Sequence, residues 1–287
     1  MKDFEFVDAH FDVKYSSTYY LSIQLALDGF SFSVLDLLSN KYILLKNKAL
    51  DQDTESLPLD YYCQYVYDFL INEKLFKYPF KGIGIIYISA NSTFVPTTVF
   101  IKDRLVQLFE ANFGRIKNID ILSNKLKNYD SINIFAIPDC LLRILSRQFK
   151  NFRIFHQATP LTIEAVSSSK NHKRPLKIHL NLNKNICDLV LVNAGQLIMF
   201  NSYKYNSLND ILYFLVNASE QIQQKGQVDE LVLSGKINAY SDLEEQIKRY
   251  FKKVSHAQLN VQYSFSDSFG EFLTHEYSLL FNLYLCE

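Results

Sequence analysis

The stretch Gln24-Leu25-Ala26-Leu27-Asp28-Gly29-Phe30-Ser31 places an acid, a glycine and a hydroxyl between two runs that alternate apolar and polar residues. An aspartate can organise hydrated Mg²⁺, and a glycine lets backbone N–H groups approach phosphate oxygens, so these types at this spacing raise phosphate binding. They also suit a two-residue hairpin. Asp28-Gly29 at the apex pairs Leu27 with Phe30, Leu25 with Phe32 and Ile23 with Val34, all apolar on one face. That register leaves little backbone free to cradle a phosphate, and Phe30 stands where a small residue is wanted, so the plain hairpin is the expectation. Asp8, His10 and Asp12 alternate as metal ligands on an extended segment would, but no further ligand can be named, and an exposed N-terminal strand is expected. His156 and His179 fall in strand patterns and read as histidines satisfied within the sheet. No GxSxG, HExxH or GxxxxGK[ST] pattern occurs.

The elements that must position these residues belong to a chain of 287 residues with 48% hydrophobic and 21% charged residues, which places it among globular proteins. Lys plus Arg and Asp plus Glu balance at 30 each, so no global field draws nucleic acid or an anionic membrane. The basic segments 170–177 and 247–256 read as a solvated linker and a helix end complementing its dipole, which argues against an RNA partner. The start lacks a continuous apolar core of the secretory kind, and the longest apolar runs are strand-length, so membrane insertion is not expected. Cys63, Cys140, Cys187 and Cys286 are spread singly, which predicts reduced, buried thiols in a cytoplasmic protein. With only 8 glycines, phosphate-cradling loops lack their usual material.

Residues 21–46 lie without a gap over residues 176–201 at an offset of 155 throughout, Leu21, Ile23, Leu25 and Leu27 falling on Leu176, Ile178, Leu180 and Leu182. Each copy predicts three strands: 20–27, 30–37 and 41–46, then 176–182, 186–192 and 196–201. Helical spacing follows in both, over 58–75 and 207–226, and then a strand, 82–89 and 229–235. The remainder predicts helices at 101–113, 139–149, 160–168 and 241–253, strands at 132–137, 152–156 and 258–263, and a helix or strand over 272–285. The polar, basic run 167–177 divides a first domain, 1–170, from a second, 171–287.

Two βββαβα units joined by a linker resemble the actin-like ATPase (ribonuclease H-like) superfamily, which includes actin, sugar kinases, heat-shock chaperones and bacterial cell-division and pilus-assembly proteins. The segments "LALDGFSFSVLD", "FVPTTVF", "FAIPDCLLRIL", "FHQATPL" and "DELVLSG" more closely resemble a bacterial family known as a domain of unknown function with that fold, related in shape to cytoplasmic platforms of pilus assembly and type II secretion. The resemblance implies an α/β fold of two similar domains with mixed sheets. It also implies where a nucleotide would sit. The first phosphate loop maps to Asp28, Gly29 and Ser31; the second to Asn183 and Lys184, where no acid or glycine stands; the adenosine position to Ser234 and Gly235, with one glycine rather than two. These departures lead to the expectation of a non-catalytic interaction or scaffold protein with a protein partner, no catalytic residue and no cofactor. The alternative is a divergent ATPase or small-molecule kinase that holds ATP and Mg²⁺ in the cleft between the domains.

Overall fold

The computed structural model describes every residue except 1, 2, 51–57, 128, 170–175, 223–227, 238–241, 259 and 271–273, so most of the basic linker lies outside the described residues. The chain begins with β1 (Phe4–Val7), β2 (Tyr19–Ala26), β3 (Gly29–Asp36), β4 (Lys41–Ala49), α1 (Leu59–Asn72) and β5 (Gly82–Tyr87). It continues through β6 (Ser92–Pro96), α2 (Leu105–Phe113), β7 (Ile119–Lys125), β8 (Ser131–Pro138), α3 (Asp139–Gln148), β9 (Arg153–His156) and α4 (Ala158–Ser168). The second run is β10 (Leu176–Asn183), β11 (Ile186–Asn193), β12 (Gln196–Lys204), α5 (Leu208–Ile222), β13 (Glu230–Gly235), α6 (Leu243–Ile247) and β14 (Val254–His256), followed by β15 (Ser264–Phe265) and α7 (Ser278–Asn282).

The first sheet runs β1-β4-β3-β2-β5-β9 with β15 beside β4, and the second runs β12-β11-β10-β13-β14. In both, an antiparallel three-stranded meander is extended by two parallel strands, β5 and β9 in one and β13 and β14 in the other. The expected mixed α/β architecture is therefore present. A third sheet, β6-β8-β7, was not legible because β7 is half polar and β6 is five residues ending at Pro96. The strand expected over 258–263 instead lies at Val254–His256, and the C-terminal segment is helical.

The hairpin register differs from the expected one by two residues. Leu25 pairs with Phe30, Ile23 with Phe32, Leu21 with Val34 and Ala26 with Gly29, which puts Leu27 and Asp28 at the apex. A slip of two keeps every side chain on its face, so alternation alone could not detect it. For the same reason the two hairpins correspond at 157 residues, not 155: Tyr19 matches Leu176 and Gly29 matches Ile186, whereas the third strands, starting at Lys41 and Gln196, match at 155. Two extra residues lie between β3 and β4. Gly29 is needed for close approach: a Cβ there would lie 2.5 Å from the Lys48 carbonyl oxygen of β4.

Leu21, Ile23, Leu25, Phe30 and Phe32 pack one face of the first sheet on Tyr62, Val66 and Leu70 of α1 and Leu141 and Leu145 of α3. Burial of each such side chain contributes about 1.5–3 kcal/mol. Tyr20, Leu35 and Tyr42 on the opposite face meet Tyr277, Leu280 and Phe281. Between the sheets lies α4, whose Leu161, Ala165 and Val166 share a core with Ile86 and Phe155 of the first and Ile186 and Val190 of the second.

Cys63 of α1 and Cys140 of α3 form a disulfide, which corrects the expectation of four reduced thiols. The two helices lie side by side on one sheet face and bring the Cα atoms within 6.3 Å, a proximity that a sequence separation of 77 does not reveal. Cys187 and Cys286 are free and buried. In denaturant without reductant, iodoacetamide is expected to label two of the four cysteines, and Cys140→Ser to lower stability by about 2–4 kcal/mol in denaturant titration. Labelling of all four would contradict the bond.

Candidate functional site

The β2–β3 turn, the β10–β11 turn and the end of β13 are the places where the sequence positioned a nucleotide. The first two are two-residue turns between fully paired strands: Ala26 pairs with Gly29, and Asn183 with Ile186. The Leu50 N–H donates to the Asp28 carbonyl, so even the apex is engaged. Asn185, not Gly, takes the positive φ of 50° at the second apex beside Lys184.

The candidate residues separate into those the fold brings together and those it does not. Ser31 is buried in the sheet and donates to Asn47 Oδ1 at 2.8 Å. Asn183 is buried, its carbonyl accepting from Tyr205 Oη at 2.8 Å. Gly235, with φ 74°, lies so close to β10 that a Cβ would meet the Leu182 carbonyl oxygen at 2.1 Å, and the Lys236 N–H donates to that oxygen at 2.8 Å. Strand approach therefore accounts for this glycine without an adenosine. Asp28 alone reaches across: its Oδ2 accepts from Lys236 Nζ, which follows Gly235, and the ion pair ties the first turn to the end of β13. Burial pushes the Lys236 ammonium down to about 8, with Glu276 pulling it back up, so Lys236 is mostly protonated at neutral pH.

Beside this ion pair is a buried polar network centred on Asp188. Its Oδ1 accepts from Ser202 Oγ of β12 and from Gln157 Nε2 at 3.3 Å, and its Oδ2 accepts from Asn181 Nδ2 of β10 at 3.2 Å. Asn181 Oδ1 in turn accepts from Ser234 Oγ at 3.0 Å. Gln157 stands where β9 passes into α4, and its Oε1 accepts from the Ser89 N–H at 3.1 Å just beyond β5. Gln157 thus links the two sheets. His156 Nδ1 accepts from the Ala158 N–H at 3.2 Å while its Nε2 lies 3.0 Å from the Ser89 carbonyl, so the imidazole donates from Nε2. Burial holds it down to about 3, which makes it a neutral fixture rather than a proton carrier.

Lys236, Asp188 and Gln157 were missed from the sequence. An acid inside the apolar run Ile186–Asn193 was the available signal, because a charge there has to be buried and partnered. Phe30 and Phe32 do not fill the space between the sheets; they turn into the first core against Phe69 of α1 and Phe76. Asp8, expected on an exposed strand, is buried and bound to Lys41 at 2.9 Å, and Asp12 caps the 3-10 helix Val13–Thr18. Among the described residues no three His, Cys, Asp or Glu side chains are grouped to hold a metal ion. Asp28 Oδ2 is paired with Lys236, while Asp28 Oδ1 is buried and makes no hydrogen bond. No helix among the described residues is long and apolar enough to cross a membrane.

A family model described as "Protein of unknown function (DUF3822)" matches residues 8–254, and the chain belongs to that family. A structure from Bacteroides thetaiotaomicron VPI-5482, described as a protein with actin-like ATPase fold and unknown function, is 25% identical; the match covers 88% of this chain and 97% of that one with a TM-score of 0.76. The PilM-PilN type IV pilus biogenesis complex matches over 93% of this chain and 97% of that one at 8% identity and a TM-score of 0.61, a likeness of fold. No curated protein matches the sequence. The fold is therefore actin-like.

Burial raises the Asp188 carboxyl to about 6 against the pull of Ser202, Asn181 and Gln157. A carboxyl raised on folding stabilises the folded state fully below its unfolded value near 3.8, and that contribution is lost as pH rises through about 6. Measured against Asp188→Asn, the wild type is expected to gain about 2 kcal/mol of stability between pH 7 and pH 4 in urea titrations. A flat difference would show that Asp188 is not buried in this network.

Proposed function

With membership of that family as the premise, we propose that the chain is a non-catalytic protein-binding platform that keeps the actin-like architecture and has closed its phosphate loops into turns. The observation that carries this reading is the Asp28–Lys236 ion pair, which sets a protein cation against the one candidate carboxylate that would otherwise face Mg²⁺. The two-residue turns point the same way, because a phosphate is usually cradled by a longer loop with several convergent N–H groups, and strand pairing here runs up to two-residue apices. PilM, with the same fold, is known in complex with PilN, which supports a protein partner for this chain. On α1 the side chains of Tyr61, Tyr67 and Ile71 stand exposed, an aromatic-rich surface of the kind interfaces use.

The alternative, an ATPase or kinase using the space between the sheets, requires Asp28 to leave Lys236. Thermal-shift measurement with millimolar ATP and Mg²⁺ tests the two. A nucleotide at a hundredfold excess over Kd adds about 2.7 kcal/mol, which raises Tm by about 5 °C or more in a chain of this size. The expected result is no saturable shift. A saturable rise abolished by Asp28→Ala would overturn the non-catalytic reading.

A further inference from the structure

The helices α1 and α3 lie side by side on one face of the first sheet, and the Cys63–Cys140 disulfide joins them into a single support. Tyr62, Cys63, Val66 and Leu70 fill the inward arc of α1. The outward arc follows from the helical period: Asp60, Gln64, Tyr67 and Ile71 recur at i, i+4, i+7 and i+11, with Tyr61 and Asp68 alongside. Tyr61 is 60% exposed, Tyr67 43% and Ile71 40%, so two phenol rings and a branched aliphatic group stand in water on one helix face. Large apolar groups scattered singly over a surface are ordinary, whereas three on one face of one helix mark a surface that is covered by something.

The charges on the two helices are opposite in sign. From Leu59 to Asn72, α1 carries Asp60 and Asp68 and no Lys, Arg or His. On α3 stand Arg143 and Arg147, with Lys150 just beyond, and its one acid, Asp139, is bound to Arg143 at 2.9 Å. Asp60 and Arg147 both line a groove of about 280 Å³ between the helices, together with Gln64, Tyr67 and Ile144. Among the described residues neither has an ion-pair partner, so the acidic and the basic half of this face are both available to a docking surface. A face with two halves of opposite sign is complementary to itself after a two-fold rotation.

We infer that a second copy of this chain docks on the α1–α3 face: a two-fold axis along the layer sets α1 of each copy over α3 of the other, with Asp60 and Asp68 against Arg147 and Lys150 and the exposed Tyr61, Tyr67 and Ile71 covered between them. Charge selects a second copy over a foreign helix, because a purely basic partner is repelled by α3 and a purely acidic one by α1. Tyr and Arg, both displayed here, are among the residue types that carry most binding energy at interfaces. The disulfide fixes the two helices relative to each other beforehand, which lowers the ordering cost of association. This occupant rests on the platform reading in taking the aromatic surface as an interface, and the two fail separately: saturable ATP binding tells against the platform, a monomeric wild type against the dimer.

Sedimentation velocity without reductant, on a dilution series from about 1 μM to about 0.2 mM protein, tests it. The wild type is expected to dimerise, with association weakening about tenfold between roughly 0.05 and 0.5 M NaCl as the charge contacts are screened. Asp60→Lys with Asp68→Lys, and separately Arg147→Glu with Lys150→Glu, are each expected to weaken the dimer about hundredfold by setting like charges opposite one another. An equimolar mixture of the two reversed proteins is expected to restore association as a heterodimer, since their faces are again opposite in sign. A wild type that stays monomeric across the series would overturn the assignment and give the face to a different protein. A dimer that both reversals leave unchanged, or folded reversed proteins whose mixture stays monomeric, would overturn it as well. The wild-type series and its salt dependence stand as tests even if a reversed variant fails to fold.

Discussion

A lysine at the end of one sheet lies against an aspartate in the first turn of the other, and the meaning of the space between the sheets depends on that contact. Lys236 and Asp28 are each more than four-fifths buried as side chains. A pair so placed is costly to break by removing one member, because the survivor is left charged and poorly solvated. The backbone enforces the contact: Gly235 lets β13 press onto β10, and the Lys236 N–H is fixed to the Leu182 carbonyl, which aims the lysine at the turn. Asp188 and Gln157 reinforce the junction with hydrogen bonds that cross from one sheet to the other.

The rest of the molecule holds this junction in place. The helix α4 begins at Gln157 and runs between the sheets, its side chains sharing one core with strands of both. The C-terminal segment returns to the first sheet, where Tyr42 Oη donates to the Phe281 carbonyl at 2.5 Å and the two rings meet edge to face with centroids 4.8 Å apart. With 23 Phe and 19 Tyr the chain builds these contacts from aromatic side chains.

Much of the fold was legible because its signals are local. Period-two alternation in Leu21 to Val34 and in Leu176 to Leu191 located the meanders, and apolar spacing over Tyr62, Val66 and Leu70 located α1. What alternation cannot carry is register modulo two, and both the turn position and the offset between the meanders slipped by that amount. Of the residues read from the sequence as a nucleotide site, Asp28, Ser234 and Gly235 lie at the junction, while Ser31 and Asn183 are spent within their own sheets. Lys236, Gln157, Asp188 and the bond between Cys63 and Cys140 escaped because each is defined by a partner remote in sequence.

Asp28 and Lys236 hold the first turn against the end of β13 in the second sheet. A double-mutant cycle on Asp28→Ala, Lys236→Ala and the double variant, read by urea denaturation at neutral pH, measures that contact directly. A coupling energy of about 1–2 kcal/mol is expected, reduced from that of a fully buried pair by the partial exposure of both side chains. Additive effects, with coupling below about 0.3 kcal/mol, would contradict it and leave Asp28 available to a ligand.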